Sequence, residues 1–486
     1  MAFQPQLHYK NDDLVRRKLN PVPKALRWTL KQECIEQVKL HLLHWARSDP
    51  ISAQALPPYN LRSCPATLLQ DILVSVLEDE SNSQPLKKVA EQLLVDGLEE
   101  FDFKCINDIP FNQLGQIFAL VKLNGNNFKC IHLVGLWTYS PEAPGMVRDI
   151  LQRCPNLERL VLQEAHYEEF LYVAQRCPKL VKLDVLHPSL SILDFHMLQN
   201  VDDRKRFPLR GSLRSLALPA SIDGESLLDL LNYFREVVDL TCVNVEGLMN
   251  AASEAKGHAL TRCAEMLSLR VTNVMGKNSI ETLVKMFPNL QRLSLKSQKI
   301  MNIQHLLKLK KLTALRLENS QVTPSSYTED ILPLLKVMGH RLVHLSLVHF
   351  DVIELPKTHL FCPNLLSFDL QQFVLLGCTS DRLHWLQFGG TGRSFEKLRT
   401  LHMRPRQGKC VPQEACLLLL KYCRQLSYLE LHEAYGMTDA LASELVQHNG
   451  FSELIRIRLR GGHNLSRLGI ETLLSRATQL KHCHIR

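Results

Sequence analysis

One six-residue pattern recurs along most of this 486-residue chain and constrains its fold more than any other feature. The pattern is Leu-x-x-Leu-x-Leu, with occasional apolar substitutes at the leucine positions. Its starts fall about 22 to 33 residues apart, a period typical of stacked repeat units. Clear copies begin at Leu157, Leu180, Leu213, Leu290, Leu312, Leu342, Leu365, Leu398, Leu426 and Leu454, and looser copies begin at Leu98, Phe128, Val237, Ala264 and Leu480.

Each copy has the periodicity of a short strand, and the segments between copies have that of a helix. The last two leucines of a copy, such as Leu293 and Leu295, alternate with a polar residue, which predicts a strand with one buried face. We therefore expect an α/β fold, a leucine-rich-repeat solenoid over residues 96–486, with parallel strands on its concave side and helices outside. Apolar residues at helical spacing precede two copies, at Ile280, Leu283, Val284 and Phe287 and at Ala415, Leu418, Leu419 and Tyr422.

The composition excludes several classes of protein. Apolar residues make up 45% of the chain and charged residues 22%, as in globular rather than disordered proteins. The formal net charge of +9 is mild for this length and argues against a dedicated nucleic-acid binder. No run of 18 or more apolar residues is present and the first residues have no apolar signal region, so we expect no membrane span and no secretion.

The 14 cysteines include no Cys-x-x-Cys pair. Four of them occupy the same position before a repeat start, namely Cys154, Cys177, Cys362 and Cys423. Equivalent positions in successive units suit small buried side chains better than disulfide partners. We therefore expect a reduced, intracellular protein that is cytoplasmic and/or nuclear.

The first hundred residues lack the repeat. We expect a flexible segment over residues 1–20 and a small all-α module over residues 21–95. Its first helix is predicted at 26–45, with Leu30, Cys34, Val38 and Leu42 on one apolar stripe. A second helix is predicted at 65–77, where Pro65 suits the first turn, and a third at 87–98.

The first helix of this module carries a known motif. Residues 29–38 read Thr-Leu-Lys-Gln-Glu-Cys-Ile-Glu-Gln-Val and resemble the elongin-binding box of von Hippel–Lindau-like proteins. The resemblance implies that Leu30 enters a pocket on elongin C, which is bound to elongin B, with Thr29, Cys34, Ile35 and Val38 beside it.

The second helix resembles the cullin-2 box that follows the elongin box in that family. The matching residues are Pro65, Leu68 and Ile72, whereas Cys64 fits the first apolar position poorly. Residues 64–77 also resemble the first helix of an F-box, which would bind the Skp adaptor. An F-box usually continues with a second helix that ends near a tryptophan, and no tryptophan lies between Leu77 and Gly135, which argues against an F-box.

The repeats themselves are similar to the cysteine-containing leucine-rich repeats of ubiquitin-ligase receptors. Cys154-Pro-Asn-Leu157 and Phe287-Pro-Asn-Leu290 carry this resemblance. Together with the box motifs, it implies a substrate receptor of a cullin-2/elongin BC ubiquitin ligase that holds an unidentified target protein through its repeats. The alternative is a non-ligase scaffold whose N-terminal helices only cap the array.

No constellation of residues indicates catalysis, so we expect a non-enzymatic protein with no cofactor and no metal. The 20 histidines are scattered, and His482-Cys483-His484 alternates across a predicted terminal strand. Arg456, Arg458 and Arg460 alternate with apolar residues in the last repeats and should share one face. We expect these arginines to contact an acidic partner or degron.

Overall fold

The computed structural model describes residues 30–47, 98–102, 125–133, 143–165, 172–173, 175–188, 209–218, 222–242, 245–254, 263–272, 279–297, 302–320, 324–375, 395–461 and 464–485, with isolated positions between 61 and 93 and at 121. The chain forms two compact units. One spans Lys31–Phe350, and the other contains Asp351–Arg486.

The unit Lys31–Phe350 contains ten parallel strands, β1 to β10, among its described residues, and neighbours in the sheet are neighbours in sequence. The strands are Glu100–Asp102, Cys130–Leu133, Arg159–Ala165, Lys182–Pro188, Ser215–Ala217, Asp239–Cys242, Ser268–Val271, Arg292–Ser297, Ala314–Asn319 and His344–Val348. Helices α1 to α7 are Leu30–Arg47, Ala143–Gln152, Leu209–Ser212, Gly224–Tyr233, Val245–Glu254, Ser279–Met286 and Leu332–Met338. Shorter 3₁₀ or π turns are Gly125–Asn127, Ile303–Lys308, Tyr327–Ile331 and Gly339–Arg341.

The unit with Asp351–Arg486 repeats the same plan. Its described strands β11 to β15 are Ser367–Phe373, Thr400–Pro405, Tyr428–His432, Arg456–Arg460 and His482–Ile485, all parallel and in chain order. Helices α8 to α11 are Leu355–Phe361, Gln413–Leu420, Asp439–His448 and Arg467–Leu474.

The repeat pattern predicts the strand positions. With one exception, each strand begins two residues after a predicted repeat start, as Leu290 and Arg292 illustrate. The three leucines of that copy are almost fully buried, and the residues between them face away from the core. The leucine-rich-repeat solenoid predicted from the sequence is therefore the observed fold.

One looser copy was placed in the wrong frame. The pattern from Ala264 predicts a strand start at Met266, but β7 begins at Ser268. Leu269 and Val271 are the buried strand residues, so the repeat begins at Met266. Both frames offer apolar residues, and pairing of Ser268 with the start of β6 selects the observed one.

The helices between strands follow the predicted spacing. All four apolar residues predicted before β8 are buried, three of them in α6 and the fourth, Phe287, directly after it. In α9 the buried residues are Ala415, Cys416, Leu419 and Leu420 rather than the predicted set with Leu418, because the helix presents a wider apolar face. Among the residues that the structure describes, no helix combines the length and the apolar character that a bilayer crossing requires.

The repeat cysteines are buried thiols, as predicted. Cys154, Cys177, Cys362 and Cys423 are free and almost fully inaccessible. Burial disfavours the thiolate and raises the pKa of Cys154, Cys177 and Cys362 to about 12. These side chains therefore act as small apolar fillers in the core.

Candidate functional site

Helix α1 packs on its own chain through a different stripe from the one that carries Cys34 and Val38. Its buried residues are Ile35, Leu42, Leu43 and Ala46, which recur at i, i+7, i+8 and i+11. Of the predicted stripe, Leu42 is buried, Val38 is half-buried and Cys34 is exposed. The buried face of α1 therefore lies about 100° around the helix axis from the apolar stripe seen in the sequence, and Leu42 is common to both.

The residues of the elongin-like box thus divide between two environments. Cys34 and Val38 lie on the less buried face, four residues apart. Ile35 is only 1% exposed and is a core residue of this chain, not part of its surface. Thr29 and the side chain of Leu30 lie outside the described residues.

The three residues that match the cullin-2 box, Pro65, Leu68 and Ile72, likewise divide between the surface and the core. Leu68 and Leu69 donate backbone hydrogen bonds to the Pro65 carbonyl at 2.9 and 3.1 Å, which places Pro65 in the first helical turn as predicted. Pro65 is exposed and Leu68 is half-buried. Ile72, however, is 1% exposed and belongs to the core.

A polar contact ties this segment to α1. The Ser75 hydroxyl donates to Glu36 Oε1 at 2.8 Å, and Lys39 Nζ lies 3.6 Å from Glu36 Oε2. The Ser75–Glu36 hydrogen bond therefore joins the segment around Pro65 to α1, and Lys39 holds Glu36 from within the helix.

The predicted arginine row lies on the solvent-facing side of strand β14. Arg456 and Arg458 are half-buried and Arg460 is exposed, whereas Ile457 and Leu459 between them are buried. The three arginines therefore share one face, as expected from the alternation. Their role in binding a target stays a prediction.

Arg458 belongs to a polar row that crosses five strands at the same repeat position. In-register pairing places Asp369 of β11 beside His402 of β12, then Glu430 of β13, Arg458 of β14 and His484 of β15. Each lies four residues after its repeat start. Parallel stacking thus brings together side chains that are far apart in sequence.

Glu430 is the centre of the contacts in this row. Its Oε1 lies 3.0 Å from His432 Nε2 and 4.0 Å from Arg460 Nε, and Arg458 Nη1 lies 3.5 Å from both carboxylate oxygens. Partial burial would raise the pKa of Glu430, but the His432 hydrogen bond and the Arg458 charge outweigh it and hold that pKa below its ordinary value. Burial lowers the pKa of His432, and Glu430 offsets only part of this effect.

The contacts of Arg458 with Glu430 are loose. Both distances are 3.5 Å, longer than the 2.7–2.9 Å typical of a charge-assisted hydrogen bond. The Nε atom of Arg458 is buried without a hydrogen-bond partner among the described atoms. The carboxylate of Glu430 therefore retains acceptor capacity that neither arginine uses fully.

His402 is held from the other side. Its Nδ1 lies 2.7 Å from Asp369 Oδ1, and Gln371 Nε2 donates to both oxygens of the same carboxylate at 3.0 and 3.1 Å. The His402 and His432 rings meet edge to face with centroids 5.9 Å apart. The cluster of Asp369, His402, Glu430 and His432 is called the sheet-face cluster below.

The sequence alone pointed separately to Arg458 and to His484 but did not connect them with Asp369, His402 and Glu430. Alternation relates residues of a single strand, whereas this row joins equivalent positions of several repeats. Aligning the fifth residue of each repeat would have collected Asp369, His402, Glu430, Arg458 and His484. The predicted terminal strand with His482 and His484 on one face is confirmed as β15, whose two histidines pair with Arg456 and Arg458.

No protein-family model matches the chain, and no curated protein sequence matches it. Among solved structures it is similar to a chain of the Rad7 and Elc1 complex in yeast, at 14% identity and a TM-score of 0.43, over 90% of each chain. A leucine-rich-repeat protein of Leptospira interrogans is 14% identical, with a TM-score of 0.29 over 82% of this chain and 98% of that one. A chain of the Toll–Spatzle complex of Drosophila is 12% identical, with a TM-score of 0.26 over 82% of this chain and 44% of that one.

Proposed function

We propose that this protein is the substrate-recognition subunit of a cullin-2/elongin BC ubiquitin ligase. Elongin C, with elongin B, would dock on helix α1, and cullin-2 would contact the segment around Pro65 and Leu68. The repeats would hold a target protein so that ubiquitin reaches it. The chain would contribute proximity and orientation of the target rather than a catalytic residue.

One observation carries the proposal. If the N-terminal helix were only a cap for the array, its motif residues would be expected on the packed face. Instead, of the described motif residues only Ile35 lies on the packed face with Leu42, Leu43 and Ala46, whereas Cys34 is exposed and Val38 is half-buried. Cys34 and Val38 lie about one turn apart on the less buried side of the helix, so that side is available to a partner.

The burial of Ile35 narrows the proposed elongin-binding surface. A side chain that is 1% exposed packs inside its own chain and offers almost no surface to a partner. We therefore assign elongin binding to Leu30, Cys34 and Val38. The same argument restricts the cullin-binding surface to Pro65 and Leu68, because Ile72 is buried.

The surface proposed for the target is the solvent-facing side of β12 to β14. Arg456 and Arg460 lie there together with Tyr428, whose side chain is 44% exposed. Tyrosine and arginine are enriched at the energetic centres of protein interfaces. A cationic surface of this kind suits an acidic segment of the target.

The test is co-purification with elongin B and elongin C. The double variant Leu30→Ala/Cys34→Ala should lose binding while its thermal unfolding stays close to that of the wild type. Leu40→Ala is the matched control, because Leu40 is 45% exposed on another side of the same helix. That variant should bind as the wild type does.

Two results would overturn the proposal. Absence of elongin binding by the wild-type protein would leave α1 as a structural cap, and the Skp adaptor should then be tested with the same variants. Equal loss of binding in Leu40→Ala would mean that the box face has no special role.

A further inference from the structure

Three potential metal ligands converge in the sheet-face cluster. One ring nitrogen from His402, one from His432 and a carboxylate oxygen of Glu430 all lie within 4.8 Å of one another. All three side chains are between 17% and 28% exposed, so an ion from solvent can reach them. Two histidines and one carboxylate form a ligand set that transition metals commonly use.

A second observation, independent of the ligand distances, is the support behind His402. Asp369 contacts Nδ1 of His402 at 2.7 Å, and Gln371 fixes Asp369 through two hydrogen bonds. A carboxylate accepts the Nδ1 proton, which leaves the Nε2 lone pair of the neutral imidazole for another partner. Metal-binding histidines have this arrangement, with a carboxylate orienting the ring from behind.

We propose that His402, Glu430 and His432 bind one divalent first-row transition ion, with zinc as the best-suited occupant. Asp369 is the positioning residue for His402. Three protein ligands leave a coordination position open toward solvent, where a water molecule or a carboxylate from a partner can bind. The proposal does not depend on elongin binding, because these residues lie far along the chain from α1.

The geometry requires only a small closure of the cluster. Zinc holds nitrogen and oxygen ligands at about 2.0–2.1 Å, so neighbouring ligand atoms in a tetrahedral site lie about 3.3 Å apart. The His432 and Glu430 atoms are already 3.0 Å apart, and the remaining separations are at most 4.8 Å. Metal binding would therefore bring the remaining ligand atoms closer by about 1.5 Å at most.

The neighbouring arginines should lower the affinity of the sheet-face cluster for a metal ion. Arg458 lies 3.5 Å from both oxygens of Glu430, and Arg460 lies 4.0 Å from one of them. Both cations compete with a metal ion for this carboxylate and repel it. Removing the charge of Arg458 should therefore strengthen metal binding, an effect that a purely structural network would not produce.

The experiment is a titration of the tag-free protein with zinc chloride, followed by isothermal calorimetry and by equilibrium dialysis with metal analysis. The wild type should bind one equivalent that the His402→Ala and His432→Ala variants lose. Asp369→Asn should weaken binding about ten- to a hundredfold, as second-shell carboxylates do. Arg458→Gln should bind zinc several-fold more tightly.

The controls separate a built site from adventitious binding. His344→Ala removes an exposed histidine of β10 and should leave the stoichiometry and affinity unchanged. Thermal unfolding without zinc establishes that each variant is folded. The proposal fails if the wild type binds no zinc, if the His402→Ala and His432→Ala variants bind as much as the wild type, or if Arg458→Gln binds more weakly.

Discussion

Asn449 provides the sharpest test of how one repeat is held to the next. Its side chain is buried in the turn after α10, and its Nδ2 donates to the backbone carbonyls of Leu420 and Cys423 at 2.6 and 3.1 Å. Its Oδ1 accepts the Phe451 backbone N–H at 3.2 Å. One amide therefore joins its own turn to the end of α9 in the preceding repeat.

Asn449→Ala removes all three hydrogen bonds from a buried environment. Each is worth about 0.5–1.5 kcal/mol net, so the unfolding free energy should fall by about 2–4 kcal/mol. For a folded unit of this size such a loss lowers the midpoint of thermal unfolding by roughly 6–12 °C. Asn449→Asp should cost at least as much at neutral pH, because a carboxylate cannot donate to the two carbonyls.

The assay is urea unfolding monitored by circular dichroism, in which the midpoint should decrease without a change in slope. Asn464→Ala is the matched control, because the exposed side chain of that asparagine donates a hydrogen bond to the Tyr435 carbonyl at 2.8 Å. We expect a cost below about 1 kcal/mol for the control. Equal losses in the two variants would refute the reasoning that burial and three bonds make Asn449 a tie between repeats.

Three further predictions follow from the described residues. Gly224→Ala should destabilise the protein by more than about 1 kcal/mol in urea unfolding, since a Cβ there would lie 1.9 Å from a backbone oxygen of α5. Gly145→Ala is the control and should be neutral or slightly stabilising, because open space surrounds that glycine. Equal effects of the two substitutions would contradict the close packing at Gly224. In iodoacetamide labelling followed by mass spectrometry, exposed Cys34 should react quickly and buried Cys154 slowly. The pKa of about 12 at Cys154 leaves on the order of a thousandfold less thiolate than an ordinary thiol has. Rapid labelling of Cys154 would contradict its burial. Burial would raise the pKa of Asp223, but hydrogen bonds from the first turn of α4 outweigh burial and lower that pKa below its value in the unfolded chain. The capping contribution of Asp223, about 1 kcal/mol, is therefore present above pH ~4 and is lost as pH falls through the folded pKa. The stability difference between wild type and Asp223→Ala should shrink with acidification, and a constant difference would argue against an ionised cap.

The sequence determined the fold because the repeat signal is local. Each copy contains its own strand periodicity, and each intervening segment contains its own helical spacing. Stacking similar units in chain order then follows, because no single unit can bury its leucines alone. The pattern does not always fix the frame of a copy. Leu267 and Leu269 fit the frame that starts at Ala264, and Leu269 and Val271 fit the observed frame that starts at Met266.

The face that α1 buries was decided by tertiary structure. Apolar residues occur on two stripes of this helix, one through Cys34 and Val38 and one through Ile35 and Leu43. A helical period reports both stripes but not which of them meets the rest of the chain. Burial therefore had to be read from the packed helix.

The sheet-face cluster likewise depends on the assembled repeats. The sequence places Asp369, His402 and Glu430 at the same position of three successive units, which fixes that they occupy one row of a parallel sheet. It does not specify that Asp369 turns toward His402 or that His432 turns toward Glu430, because each side chain has several rotamers of similar energy. The Asp369–His402 contact joins β11 to β12 and forms only when the neighbouring repeats are in place, whereas the Glu430–His432 contact lies within β13.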